Sequence, residues 1–199
     1  MTTVNKTEIV LNVRVYQLAF LGEPEYDSRA TNDEIKELFA SINAIWGCAR
    51  IRWKLLSCQG QTIDLRENTP LGAVSQKREL RQLFGQISPV LPLVLRKRIW
   101  NVCLLNRFPV RSGGVYLPKT KTVFFAESSR QYRANAVTMA HELGHMLGLQ
   151  HVEYEANLMN QDSLRDLQSM LNFSAGLAIP PLVEEQIANV RAQAELGPY

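Results

Sequence analysis

Cysteine and histidine are both scarce in this chain, with three of each among 199 residues. Cys48, Cys58 and Cys103 are too few and too scattered for a disulfide framework, and none forms a Cys-x-x-Cys pair of the kind used for metal or redox work. They read as buried free thiols in a reducing compartment, with one bridge and an odd thiol as the alternative. No apolar run approaches the roughly 20 residues of a membrane span, so no membrane partner is expected. Neither sign of charge dominates, and the net charge is +3. Basic residues cluster at Leu95 to Arg98, but without the interleaved aromatics that grip nucleic acid, so this run reads as a solvated face and no nucleic-acid partner is expected. The opening stretch "MTTVNKTEIVLNVRVYQL" lacks the apolar core and cleavage site of a secretory signal, which points to the cytoplasm or to leaderless export. Repeats and low-complexity segments are absent too.

What remains is the composition of an ordinary globular protein, 46% hydrophobic and 21% charged. The length suits one domain, residues 1–199, and a monomer is expected. An N-terminal subdomain is expected to about residue 148, followed by a smaller lobe over 149–199.

Alternation at Ile9, Leu11, Val13, Val15 and Gln17 predicts a first strand. Thr31 with Glu34 three residues on forms a capping box, and Ile35, Leu38, Phe39, Ile42 and Ile45 or Trp46 then recur at helical spacing. A second strand is predicted over Ala49 to Cys58, then a polar connection, then a weaker helix over Gln76 to Gln86. The apolar run "IWNVCLLNRF" suits a strand buried on both faces. "SGGVYLP" reads as a short edge strand leading into another strand at Thr122 to Ala126. From about Arg130 to Leu147 the pattern is helical again. This order predicts an α/β (α+β) fold: a twisted mixed sheet with an antiparallel edge strand, an active-site helix and a small, mostly helical C-terminal lobe.

All three histidines fall within "AHELGHMLGLQH". Residues four apart on a helix share a face, about 6 Å apart along the axis, so His141 and His145 point the same way. Glu142 is displaced by one residue around the helix and flanks them. In a continuing helix His151 would project about 240° around the axis from His145, away from this face. The helix must therefore stop, and Gly148 is placed to stop it because glycine accepts the left-handed conformation that reverses a chain. Two helical imidazoles, a hinge and a returning third imidazole suit a zinc ion that keeps one position for water beside a general base. By chance His-Glu-x-x-His would occur in a chain this long on the order of once in a few hundred cases, and the full string far more rarely. Packed helix histidines and a purely structural zinc are the alternatives.

"HELGHMLGLQH" followed by "ANLMN" resembles the metzincin clan of zinc endopeptidases, in its matrixin- or reprolysin-like minimal form. The resemblance implies a zincin fold, one catalytic Zn2+ held by His141, His145 and His151, and Glu142 as general base and acid. It implies that Met159 is the clan's Met-turn methionine, an apolar floor beneath the metal. It further implies that Gly113, Gly114, Val115, Tyr116 and Leu117 form the edge strand along which a peptide or protein substrate lies extended, and that "PPLVEEQIANVRAQA" is the closing helix. Tyr154 is a candidate aid to the developing oxyanion, and Glu153, Glu155 or a backbone carbonyl is a candidate orienter of a ligand imidazole. Some features depart from the clan. Gln161 replaces the extra tyrosine ligand of astacins and serralysins, Val152 follows the third histidine, and no cysteine-switch segment is present. No aspartate cluster supports structural calcium. The competing function is a catalytically silent zinc-containing module that binds a peptide or protein without cutting it.

Overall fold

The computed structural model describes residues 7–65, 69–91, 99–127, 132–153, 157–160 and 182–197. Its centre is a five-stranded sheet in the order β2-β1-β3-β5-β4. Strands β1 (Ile9–Phe20), β2 (Ile51–Ile63), β3 (Ile99–Leu105) and β5 (Thr122–Ala126) run parallel, and β4 (Gly114–Leu117) lies antiparallel to β5 at one edge. The α-helices among the described residues are α1 (Asn32–Trp46), α2 (Lys77–Ile87), α3 (Tyr132–Met146) and α4 (Glu184–Leu196). The mixed α/β architecture with an antiparallel edge is the one the sequence pattern predicts.

Helices cover both faces of the sheet, so the inner strands bury both sets of alternating side chains. Leu11, Val13 and Val15 of β1 join Val102, Leu104, Val123 and Phe125 in one core, with α1, α3 and α4. Tyr16, Leu18 and Phe20 project the other way into a second core with Cys103, Leu105, Phe124 and α2. The first strand therefore alternates in both halves but changes phase, with odd-numbered residues buried up to Val15 and even-numbered ones from Tyr16.

The capping box predicted at α1 is present: the Thr31 side chain accepts from the Glu34 amide at 3.2 Å and the Glu34 carboxylate accepts from the Thr31 amide at 2.6 Å. Its buried stripe, Ile35, Leu38, Phe39, Ile42, Ile45 and Trp46, packs into the first core, each large side chain contributing about 2 kcal/mol by leaving water. Beneath it Trp46, Trp53 and Trp100 stack edge to face, with centroids 6.1 and 6.0 Å apart.

One boundary differs from the sequence-based expectation. β2 continues to Ile63, through residues that read as a polar connection. Its partner supplies the reason, because β1 is twelve residues long and pairs with β2 along its full length, past a bulge between Val13 and Arg14. An edge strand turned partly to water tolerates Gln59, Gln61 and Thr62.

Helix α4 returns to the start of the sheet. Its Arg191 guanidinium donates to the carbonyls of Ala49 and Thr7, each at 2.9 Å, while Val190 and Ala194 enter the same core as α3. No helix among the described residues is long and apolar enough to cross a membrane. The basic run Leu95 to Arg98 lies outside the described residues, as do Tyr154, Glu155 and the whole segment 161–181.

Candidate metal centre

His141 and His145 stand on α3, whose burial on almost every side anchors them rigidly to the first core. The helix ends as the glycine demands. Gly148 has φ +84°, its amide donates to the His145 carbonyl at 3.0 Å, and the Leu149 amide donates to the Gly144 carbonyl at 3.0 Å. These two bonds make a Schellman motif, which satisfies the last carbonyls of α3 and turns the chain back. His151 then meets the helical pair.

The meeting is close. The His151 Nε2 lies 3.2 Å from the His141 Nε2 and 3.0 Å from the His145 Nε2. All three candidate ligand nitrogens lie within 4.8 Å of one another, and together they form a group that could hold a metal ion. The opposite nitrogens of the two helical rings are already engaged: Nδ1 of His141 contacts the Leu158 carbonyl at 2.7 Å, and Nδ1 of His145 contacts the Leu149 carbonyl at 2.8 Å. A carbonyl only accepts, so Nδ1 carries the proton in each ring and Nε2 presents its lone pair to the common point. Two nitrogens bound to a tetrahedral zinc at about 2.05 Å lie about 3.3 Å apart, close to the spacing found here. Donor type, tautomer and spacing thus fit zinc.

Electrostatics point the same way. Burial lowers the His141 pKa to about 4, helped by repulsion from the other two imidazoles and Lys77 and opposed by the Leu158 carbonyl. His145 and His151 are lowered too, again chiefly by burial. All three rings are therefore neutral near pH 7, the form that binds a cation.

The turn beneath the rings is built by residues that the sequence pattern did not single out. The Asn157 side chain accepts from the Met159 amide at 2.9 Å and donates to Gln186 of α4 at 2.9 Å, both in buried surroundings. Such a side chain closing on the amide two residues on is an Asx turn, and only the fold reveals that its other end is gripped by α4. Met159 is fully buried. Its Sδ lies 2.6 Å from where a Cβ on Gly144 would stand, so the absence of a side chain at 144 lets the thioether reach α3 between the two helical histidines.

Glu142 is 8% exposed and faces the edge of the sheet. Burial raises its carboxyl pKa to about 7, against the pull of Lys77, Arg81 and a hydrogen bond from the Tyr116 amide on β4. Its side chain crosses Gly114 so closely that a Cβ there would stand 2.4 Å from its Cγ. Gly113 is similarly placed against Thr138, 2.6 Å from the methyl group. The glycine pair that marked an edge strand in the sequence is thus also what allows β4 to lie down on α3. Val115 and Leu117 point into the second core. Tyr116 and the three histidines line a cleft of about 1440 Å³ that runs along β4. Glu153 is exposed, and the carbonyls of Leu158 and Leu149 hold the two helical imidazoles instead.

The sequence matches no protein-family model and no curated protein. Solved structures share the fold. The chain aligns with a zinc-dependent peptidase from Methanocorpusculum labreanum at TM-score 0.50 and 11% identity, over 89% of this chain and 99% of that one. It aligns with archaemetzincin from Methanopyrus kandleri at TM-score 0.52 and 10% identity, over 98% and 99%. Metalloproteinase-II from Bacteroides fragilis aligns at TM-score 0.53 and 11% identity; 95% of this chain is covered, spanning 55% of that longer protein. At such identities the likeness is one of fold, and these neighbours are zinc-dependent peptidases and metalloproteinases.

Proposed function

We propose that this chain is a zinc-dependent endopeptidase with a metzincin-like centre. One observation carries the reading: the Nε2 atoms of His141 and His145, their tautomers set by backbone carbonyls, converge within hydrogen-bonding distance of the His151 Nε2, beside a buried carboxylate. The zinc-dependent peptidases that share the fold support it.

His141, His145 and His151 would hold the ion. When bound there, zinc supplies Lewis-acid polarisation of a carbonyl and acidification of water. The remaining work falls to the chain. Glu142 takes a proton from the attacking water and delivers it to the leaving amine, a task suited to a carboxyl whose pKa is near 7. Its carboxylate is held by the Tyr116 amide, which keeps it at the edge strand where a substrate would add itself through main-chain hydrogen bonds. Met159 serves as the apolar floor under the histidines, and the spacing of Met159 from His151 favours the matrixin-like branch of the clan.

Zinc content and chelator-sensitive cleavage of an unfolded protein test this reading in wild type and Glu142→Ala. The expected outcome is zinc in both and cleavage in wild type alone. Zinc-loaded wild type that cuts nothing across a broad peptide library would leave the silent binding module.

A further inference from the structure

The cleft in front of the histidines carries more charge than the proposed chemistry uses. Lys77, Arg78 and Arg81 project from the first turns of α2, Arg111 and Lys119 flank β4 in sequence, and all five are exposed residues lining this cleft. Glu142 is the one acid among the described residues that line it. Five cations against one carboxylate is a larger surplus than the net +3 of the whole chain, so positive charge is concentrated here. The ion pairs found among the described residues, Lys36 with Asp33 and Arg52 with Glu8, involve none of these cations.

Helix stability does not account for them. Cations in a first turn oppose the helix dipole. The acid of that turn, Glu79, directs its carboxylate back to the amides of Ser75 and Gln76, at 2.8 and 3.2 Å. α2 is held by Leu80, Leu83, Phe84 and Ile87. Lys77 and Arg81, four residues apart, form a separate stripe beside that apolar face. They line the same cleft as Glu142 and the three histidines, and their charges act on Glu142 and His145.

We propose that this basic wall selects acidic peptides: a substrate strand laid along β4 presents Asp or Glu side chains to Lys77, Arg78 and Arg81, and to Arg111 and Lys119 beyond the strand's two ends. The inference rests on the peptidase reading for the position of that strand. β4 is four residues long, about 13 Å, and successive side chains on one side of an extended peptide recur about every 7 Å. Cations beside and beyond so short an edge match carboxylates on alternate residues of one peptide, whereas a nucleic acid needs a continuous basic track with stacking rings.

The test uses peptides of one core sequence carrying Glu, Gln or Lys at the flanking positions. Their binding to zinc-loaded protein is followed by fluorescence anisotropy, with cleavage read in parallel by mass spectrometry. The Glu peptide is expected to bind about tenfold tighter than its Gln twin at low salt, with the advantage shrinking as salt rises. Lys77→Glu with Arg81→Glu is expected to transfer the preference to the Lys peptide. Should that pair misfold, Lys77→Gln with Arg81→Gln is expected to level the Glu and Gln peptides. Equal binding of the Glu and Gln peptides by wild type overturns the proposal, as does a preference that survives loss of the two charges. So does displacement of the Glu peptide by a single-stranded oligonucleotide at lower concentration than by unlabelled Glu peptide. Charge-dependent binding without any cutting would keep the acidic-peptide site and remove the peptidase reading. Cutting of both peptides with equal binding of the two would do the opposite.

Discussion

Gly114 and Glu142 are in contact across the edge of the sheet: a methyl group on the glycine would stand 2.4 Å from the glutamate Cγ and 2.8 Å from its Oε1. The candidate base and the candidate substrate strand therefore set each other's position. Gly114→Ala must push one of them aside, and overpacking of this kind costs about 1–3 kcal/mol. A displaced base is expected to lower kcat/KM by about 100-fold, with zinc affinity unchanged, because the imidazoles are untouched. Parallel peptidase assays and zinc titrations check the split; equal losses in both would show a general collapse of the site.

Gly148 holds φ +84°, which an alanine adopts only with strain of about 1–2 kcal/mol. Gly148→Ala is expected to lower the urea midpoint accordingly. It is also expected to weaken zinc binding, since the turn at Gly148 is what returns His151 to the other two rings. A variant as stable as wild type with undiminished zinc affinity would refute the hinge.

Asn157→Leu removes the acceptor of the Met159 amide and the partner of Gln186, leaving buried polar groups unmet. A loss of about 2 kcal/mol is expected in chemical denaturation. The Leu158 carbonyl that orients His141 sits in the same turn, so zinc affinity is expected to fall by about tenfold as well. Competition with a chelating dye measures it.

In the metal-free protein, His141 has a pKa of about 4 against an ordinary 6.5. The unfolded chain therefore binds the proton first. Stability is whole above pH 6.5, declines as pH falls from there, and levels off below about 4, with a loss on the order of 3 kcal/mol. Urea midpoints of chelator-treated protein across that range are the measurement. A flat profile would mean that His141 is hydrated in the metal-free state.

Short-range physics settled a good part of this molecule before any tertiary contact was known. Thr31 and Glu34 cap a helix because they lie one turn apart, His141 and His145 share a face because four residues make about one turn, and Gly148 reverses the chain because it lacks a Cβ. Such features depend on backbone geometry within a few residues, which any sequence displays. The polar stretch after Cys58 became strand only because β1 lay alongside it as far as Ile63. The Leu158 carbonyl lies seventeen residues from the imidazole it orients, Asn157 reaches Gln186 across twenty-nine, and α2 carries its cations to a cleft that it shares with β4 and α3. No local periodicity encodes those meetings. They follow from which faces of the sheet the helices cover, and only the assembled core makes that choice.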